Sequence, residues 1–387
     1  MENPQQPGRR AFLSQTGKLT TACAVIGLTG GMAQAASPGG EPCAPTPMTL
    51  TDRHYCLSEV RLEDGFEYDG ETVIGTRTAL YTLEIKDGKI AAIHAANAAL
   101  PAGVPRYKAQ GRLLLPAFRD MHIHLDKTFY SGPWQAPRPR QGKTIMDMIA
   151  LEQTLIPTLL PTSQQRAENL IALLQSKGST VARSHCNIDP VSGLKSLEHL
   201  QRALENHRAD FSCEIVAFPQ HGLLHSRVDA LMREAMQMGV QYVGGLAETA
   251  TRLAAQQITI ASTVPIGGLM MPLPQLSEKG VFVMTGTDSV IDHWSPFGTG
   301  DILEKANLYA QLYRGSDEYH LSRAMAISTG GVLPLDDKGQ CAWPKAGDAA
   351  EFVLVNASCS AEAVARLPAR SATFHQGRLV AGQVSKA

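Results

Sequence analysis

Two histidines one residue apart, His122 and His124, follow the apolar run Leu113-Leu-Leu-Pro-Ala-Phe118 and precede Leu125-Asp126-Lys127. Alternate residues of a strand share a face, so this spacing aims both imidazoles to one side. Two neutral imidazoles on one face chelate a divalent metal such as zinc or iron. A bare His-x-His also fits satisfied core or surface histidines, and the setting at the end of an apolar strand favours the ligand reading. A second apolar run, Val281 to Met284, ends in Thr285-Gly-Thr-Asp288. The Asp288 carboxylate there is suited to ligate a metal, to take a proton from metal-bound water, or to cap the following turn. Two further strand ends carry polar groups, Arg183-Ser-His185-Cys-Asn-Ile-Asp189 and Val216-Ala-Phe-Pro-Gln220-His221-Gly222. The Gln220 amide offers a donor and an acceptor, matched to a substrate amide or pyrimidine edge.

These groups need elements to position them. An amphipathic helix, then Gly, then a short apolar strand recurs at Ser163 to Lys177 with Gly178, Arg227 to Met238 with Gly239, and Leu273 to Lys279 with Gly280. Helix alternating with strand predicts an α/β fold with a parallel sheet, either an open doubly wound sheet or a (β/α) TIM-type barrel, with function at the carboxyl ends of the strands. Outside this region the texture is β. Leu80 to Ile93 alternates around Asp87-Gly88, the signature of a hairpin, and Phe352 to Val355 and Thr373 to Val380 again alternate around a Gly turn. The two ends of the chain are expected to build one small β domain.

The 387 residues include 44% hydrophobic and 18% charged, enough to bury a sizeable core, so wholesale disorder is excluded. Thirty-five basic residues against 36 acidic leave a formal charge of −1 with no like-charge run, which excludes an electrostatic footprint for nucleic acid. A small-molecule substrate is the natural ligand. Arg9-Arg10-Ala-Phe-Leu13, a weakly apolar stretch from Leu19 to Met32 and Ala33-Gln-Ala35 read as a twin-arginine export signal over residues 1–36. The expected partner is the twin-arginine export machinery, the expected location the periplasm, and no stable membrane anchor is expected. Removal of the signal takes Cys23 and leaves six cysteines, irregularly spaced, with a Cys43–Cys56 bridge permitted by an oxidising compartment.

The ordered set His122-x-His124-x-Asp126-Lys127, Arg183-Ser-His185, Val216-Ala-Phe-Pro-Gln220 and Gly286-Thr-Asp288 with Asp292-His-Trp294 resembles the cytosine deaminase-like subgroup of the amidohydrolase superfamily, over Met48 to about Val380. The resemblance implies a TIM-type barrel over residues 117–344 and a composite β domain from 48–116 with 345–385. It implies His122, His124 and Asp288 as ligands of one or two divalent metals, zinc or iron, with Asp288 also the catalytic proton acceptor. It implies Gln220, His185 and Trp294 at the substrate, and hydrolysis of a carbon–nitrogen bond in a cytosine- or ammelide-like cyclic amidine or amide. One departure accompanies it. The family's fifth-strand His, the nearby Glu and the sixth-strand His have no counterpart, since no His lies between His225 and His293. Met121 to His124, Val181 to His185, Glu214 to Pro219 and Gln241 to Leu246 read as strands one to four, while Ile258 to Ser262 and Val281 to Thr287 read as seven and eight. The stretch between 247 and 257 is too short for two βα units, so the barrel is expected to be incomplete. Three readings follow: a working hydrolase with His185, His221 or His293 and Glu248 as substitutes; an internally deleted homologue with little turnover; or an exported small-molecule-binding protein. Open strand edges predict aggregation, homo-oligomers or low thermal stability.

Overall fold

The computed structural model of the chain describes residues 50, 52–139, 142–223, 228–244, 259–264 and 271–387. The signal at 1–36, Cys43, Glu248 and the 247–257 stretch lie outside these residues.

Five strands come first: β1 (His54–Asp69), β2 (Thr72–Lys86), β3 (Lys89–Ala95), β4 (Arg106–Lys108) and β5 (Leu113–Pro116). The β2–β3 turn is Asp87-Gly88, both residues at positive φ (49° and 79°), which matches the twist of a two-residue hairpin. Helices and strands then alternate: β6 (Phe118–Ile123), α1 (Ile145–Leu159), α2 (Ser163–Ser176), β7 (Ser179–Asn187), α3 (Lys195–Asn206), β8 (Ser212–Phe218), α4 (Asp229–Gln237), β9 (Tyr242–Val243), β10 (Ile260–Ser262), α5 (Leu273–Glu278) and β11 (Val283–Thr285). Three helices, α6 (Leu303–Leu312), α7 (Glu318–Ala324) and α8 (Ala326–Thr329), lead to β12 (Phe352–Val355), α9 (Ser360–Arg366), β13 (Arg370–His375), β14 (Arg378–Gly382) and β15 (Ser385–Lys386).

Strands from both ends of the described chain share one sheet, in the order β14-β13-β12-β5-β1-β2-β3, with β4 and β15 attached beside β1. The join is the antiparallel pairing of β12 with β5, Phe352 opposite Pro116 and Val355 opposite Leu113. Tyr55, Leu57, Leu83, Ile85, Phe352 and Phe374 fill its core, and Phe352 stacks on Phe374 at 4.5 Å between centroids.

β6 to β9 form a parallel sheet in sequence order, and β10 pairs parallel with β11. A parallel bridge between Ile123 and Asp288 joins the two, so β9-β8-β7-β6-β11-β10 follow one another around an arc of six parallel strands. Helices α2, α3 and α4 cover the outer face of the first four, burying Leu170, Ile171, Leu174, Leu197, Leu200 and Met232. Among the described residues no ladder joins β9 to β10, and Tyr242 and Val243 of β9 are exposed. The strands differ at their ends from the sequence reading. β6 starts at Phe118, because its backbone already pairs at Ser179, and His124 lies just past its last residue. β11 starts at Val283 and its pairing extends to Asp288 only as the isolated bridge.

The β6–β11 seam depends on Gly286. A Cβ built there would lie 2.4–2.5 Å from the Cβ, O and N of His122, and backbone atoms cannot yield as the tip of a side chain does. Gly286→Ala is therefore expected to push β11 off β6 and cost about 3 kcal/mol or more in urea unfolding. A loss under about 0.5 kcal/mol would show that the seam tolerates separation.

Candidate metal centre

The seam fixes the site. Asp288 N donates to His122 O at 2.7 Å and His124 N donates to Asp288 O at 3.2 Å, so the two histidines and the carboxylate come from adjoining strand ends. Asp288 has φ +63°, a left-handed conformation that Asp tolerates better than most residues, costing of order 1 kcal/mol. Its two flanking backbone hydrogen bonds hold it there. Two residues before His122, fully buried Asp120 accepts from Thr287 Oγ1 (2.5 Å), Thr287 N (3.1 Å) and His122 N (3.4 Å). Burial raises the Asp120 carboxyl to about 6 against the pull of those hydrogen bonds.

Nε2 of His122 and Nε2 of His124 each lie 3.4 Å from Asp288 Oδ1, and the three ligand atoms fall within 4.8 Å of one another. Ligands held at about 2.0–2.2 Å in a tetrahedral site are about 3.3–3.6 Å apart, so the two His–Asp distances suit zinc or iron and these residues would hold such a metal. Burial opposes ionisation of Asp288, but hydrogen bonding and charge from His122 and His124 outweigh it and hold the carboxyl well below its usual range. His185 of β7 stacks on His122 at 3.8 Å and 23° and lies 5.9 Å from His124. Burial, then the positive charge that His122 and His124 can carry, pushes its pKa down to about 2, so it remains a neutral imidazole. The outer shell is thin. His124 Nδ1 is buried without a hydrogen-bond partner among the described residues, where a metal-bound His ordinarily donates to an orienting acceptor.

One step further along the strands sits a buried polar network. Lys127 Nζ is 3.0 Å from Glu152 Oε1, both side chains nearly fully buried, and it donates to Gln220 Oε1 at 3.3 Å. Asn187 Nδ2 donates to the same oxygen at 2.8 Å, while Gln220 Nε2 donates to Glu152 Oε2 at 2.7 Å. Asp126 Oδ2 accepts from Asn187 N at 3.0 Å, and the Lys127 ammonium lies 5.7 Å from the Trp294 ring centroid. Burial disfavours the ammonium, but Glu152, Asp292 and Asp126 overcome it and raise the Lys127 pKa; Lys127 in turn overcomes the burial of Glu152 and lowers that of the acid. Burial raises Asp126 and Asp292.

His122, His124 and Asp288 thus come together, His185 packs against them, and Gln220 and Trp294 join the adjacent network. Of the expected substitutes, His185, His221 and His293 do not enter the ligand group among the described residues. His221 Nε2 pairs with Asp189 Oδ2 at 2.8 Å, and buried His293 donates from Nε2 to Met148 O at 3.0 Å, each committed to its own partner. Sequence reasoning missed Glu152 and Asn187. The available signal was Glu152 within the buried stripe Met148, Ile149, Ile156 and Leu159 of α1, a helix whose start is fixed by a Thr144–Asp147 capping box. A carboxylate in an apolar stripe demands a buried partner.

No protein-family model matches the chain. It is 50% identical to the uncharacterized protein YahJ of Escherichia coli K12, across 97% of this chain and 98% of YahJ. That alignment runs over 453 positions, 66 more than the 387 residues of the chain. Over 148 residues, 37% of the chain, it is 29% identical to 36% of the N-isopropylammelide isopropyl amidohydrolase of Pseudomonas sp. strain ADP. Among solved structures, N-isopropylammelide isopropylaminohydrolase of Burkholderia multivorans superposes with TM-score 0.66 at 24% identity, and 5-methylcytosine deaminase of Klebsiella pneumoniae with TM-score 0.65 at 22%. Each pairing covers 85% of this chain and 98% of the other. The chain belongs to the family of YahJ and has the amidohydrolase fold.

Proposed function

We propose that the chain descends from metal-dependent hydrolases of carbon–nitrogen bonds in cyclic amidines or amides, cytosine- or ammelide-like, and that an internal deletion impairs its turnover. The convergence of His122, His124 and Asp288 carries the first part. These three side chains would hold a divalent metal, zinc or iron, which when bound would supply an activated water as nucleophile at neutral pH. Asp288, ionised at neutral pH, accepts a proton at its carboxylate; neutral His185 packs the His122 ring in place; Gln220 and Trp294 face the substrate.

Two observations support the deletion. The alignment with YahJ leaves at least 66 positions of that relative with no counterpart here, and the described parallel strands make an arc of six in which β9 and β10 do not pair. On this reading the fifth and sixth βα units are absent between 247 and 257, and with them the opposing His ligands and the Glu shuttle. A positioned acid or base contributes about 10² to 10⁴ in rate, so Asp288 alone supports only slow chemistry. The same observations make an inactive homologue, or an exported small-molecule-binding protein, the second reading. The joining of β5 to β12 supports a composite β domain drawn from 48–116 and 345–385, beside the barrel of 117–344. The exposed Tyr242 and Val243 support association of copies along β9.

The direct test is ammonia release from a panel of cytosine- and ammelide-like rings with zinc, iron or manganese. The chain is expected to turn over at least about 10²-fold more slowly than a version carrying the two units of YahJ restored, and His122→Ala and His124→Ala to abolish metal uptake. Robust turnover by the present chain, lost in Asp288→Asn, would contradict the impairment.

We further propose that residues 1–36 direct the folded protein through the twin-arginine machinery to the periplasm. Cell fractionation should find the Arg9→Lys, Arg10→Lys double variant in the cytoplasm; unchanged export would rule this signal out.

A further inference from the structure

At the other end of β6 from the two histidines, a cleft opens to solvent between the starts of β6 and β7, the end of α8 and the chain leading into β12. Its volume is about 190 Å³, below the roughly 300–1,000 Å³ of a site for a drug-sized molecule, and suits a single ring. Val181, Val332 and Trp343 give it apolar walls, and Arg119 is the one basic side chain among its described lining residues. The Arg119 side chain is half-buried and has no hydrogen bond or ion pair among the described residues, so no carboxylate lies within 4.0 Å of its guanidinium. Its stem packs on Gly330, which closes α8 at φ +67° and where a Cβ would come 2.9 Å from Arg119 Cδ. A guanidinium keeps its charge and presents a planar fork of donors, so one held in place without a protein partner is matched to a planar acid. Two carboxylates share the cleft. Glu351 accepts from Thr180 Oγ1 at 2.8 Å, His375 Nδ1 at 3.0 Å and Gln376 N at 3.0 Å, which occupies both oxygens. Asp348 accepts from Lys345 N at 2.8 Å through one oxygen, and the other has no partner among the described residues. A cation and an acceptor thus face one ring-sized space, and neither satisfies the other.

We propose that this cleft is a second binding site, for a small single-ring amino acid: its carboxylate on the Arg119 fork, its ring against Trp343 and its amine donating to Asp348. A dicarboxylate would set its second acid against Asp348, and a diamine would set a cation against Arg119, so unlike ends are what the two walls accept. Arg119 precedes His122 by three residues, roughly 10 Å of strand at about 3.3 Å per residue, which keeps the ligand away from the metal ligands. Binding here needs no metal and is independent of the hydrolase reading.

Calorimetric titration of the purified full chain tests it with three probes: 4-aminobenzoate, 4-aminobenzamide, which keeps the shape and loses the charge, and benzoate, which loses the amine. 4-Aminobenzoate should bind at least about tenfold more tightly than the amide and about threefold more tightly than benzoate. Arg119→Gln should abolish the preference for acid over amide, and Asp348→Ala should bring 4-aminobenzoate down to the level of benzoate, each checked for an intact melting transition. Chelator-treated protein should bind 4-aminobenzoate as tightly as untreated protein, because a carboxylate captured by a metal at His122, His124 and Asp288 would be lost there. Four results would overturn the proposal: no binding by the folded wild type, equal binding of acid and amide, an undiminished preference in folded Arg119→Gln, or loss of binding on chelation. Zinc uptake is read separately, so failure at the metal centre leaves this site standing and failure of the three probes leaves the metal centre untouched.

Discussion

Two backbone hydrogen bonds, Asp288 N to His122 O and His124 N to Asp288 O, hold the ends of β6 and β11 in contact, and the site depends on them. They bring a His-x-His pair and a carboxylate 164 residues further along the chain to 3.4 Å. The demands they make are local and severe. Gly286 must lack a side chain, Asp288 must occupy a left-handed conformation, and Asp120 must be buried to tie Thr287 to the start of the His-x-His segment. Each of these costs stability alone, and each is met by a partner across the seam. Strain of this kind persists where surrounding structure over-determines it, and it concentrates at sites of function.

The second constraint is electrostatic. Three carboxylates, Asp126, Glu152 and Asp292, share a buried region with the Lys127 ammonium. Isolated, any of these charges would be expelled or neutralised; together, Lys127 and Glu152 each keep the other ionised while burial presses Asp126 and Asp292 towards neutrality. The network spends its hydrogen bonds on fixing the Gln220 amide. A buried ion pair is a poor source of net stability, so its presence here is better explained by what it orients than by what it holds together.

Much of the centre was legible because its residues follow apolar strands directly. His122, His124, His185 and Asp288 each sit at or just past a short run of buried residues, and period-two spacing alone places the two histidines on one face. The Asp87-Gly88 hairpin was legible for the same local reason: two residues that tolerate positive φ between alternating runs. Glu152 and Asn187 were not, because their roles come from tertiary partners on other elements; nothing near position 152 in the sequence names Lys127 or Gln220. Gln220 read as a free donor and acceptor because sequence cannot show that its oxygen is already taken. Gly286 stood in the sequence only as a member of the Gly-Thr-Asp288 motif, whereas its reason is the backbone of His122 pressed against it.

The central proposal is that the three side chains gathered at the β6–β11 seam, His122, His124 and Asp288, hold a divalent metal. Crystals of the protein soaked in zinc and measured at the zinc absorption edge test it most directly. The account predicts an anomalous peak about 2.0–2.2 Å from Nε2 of His122, Nε2 of His124 and the carboxylate of Asp288. A zinc-saturated crystal with no peak between those three atoms would contradict it.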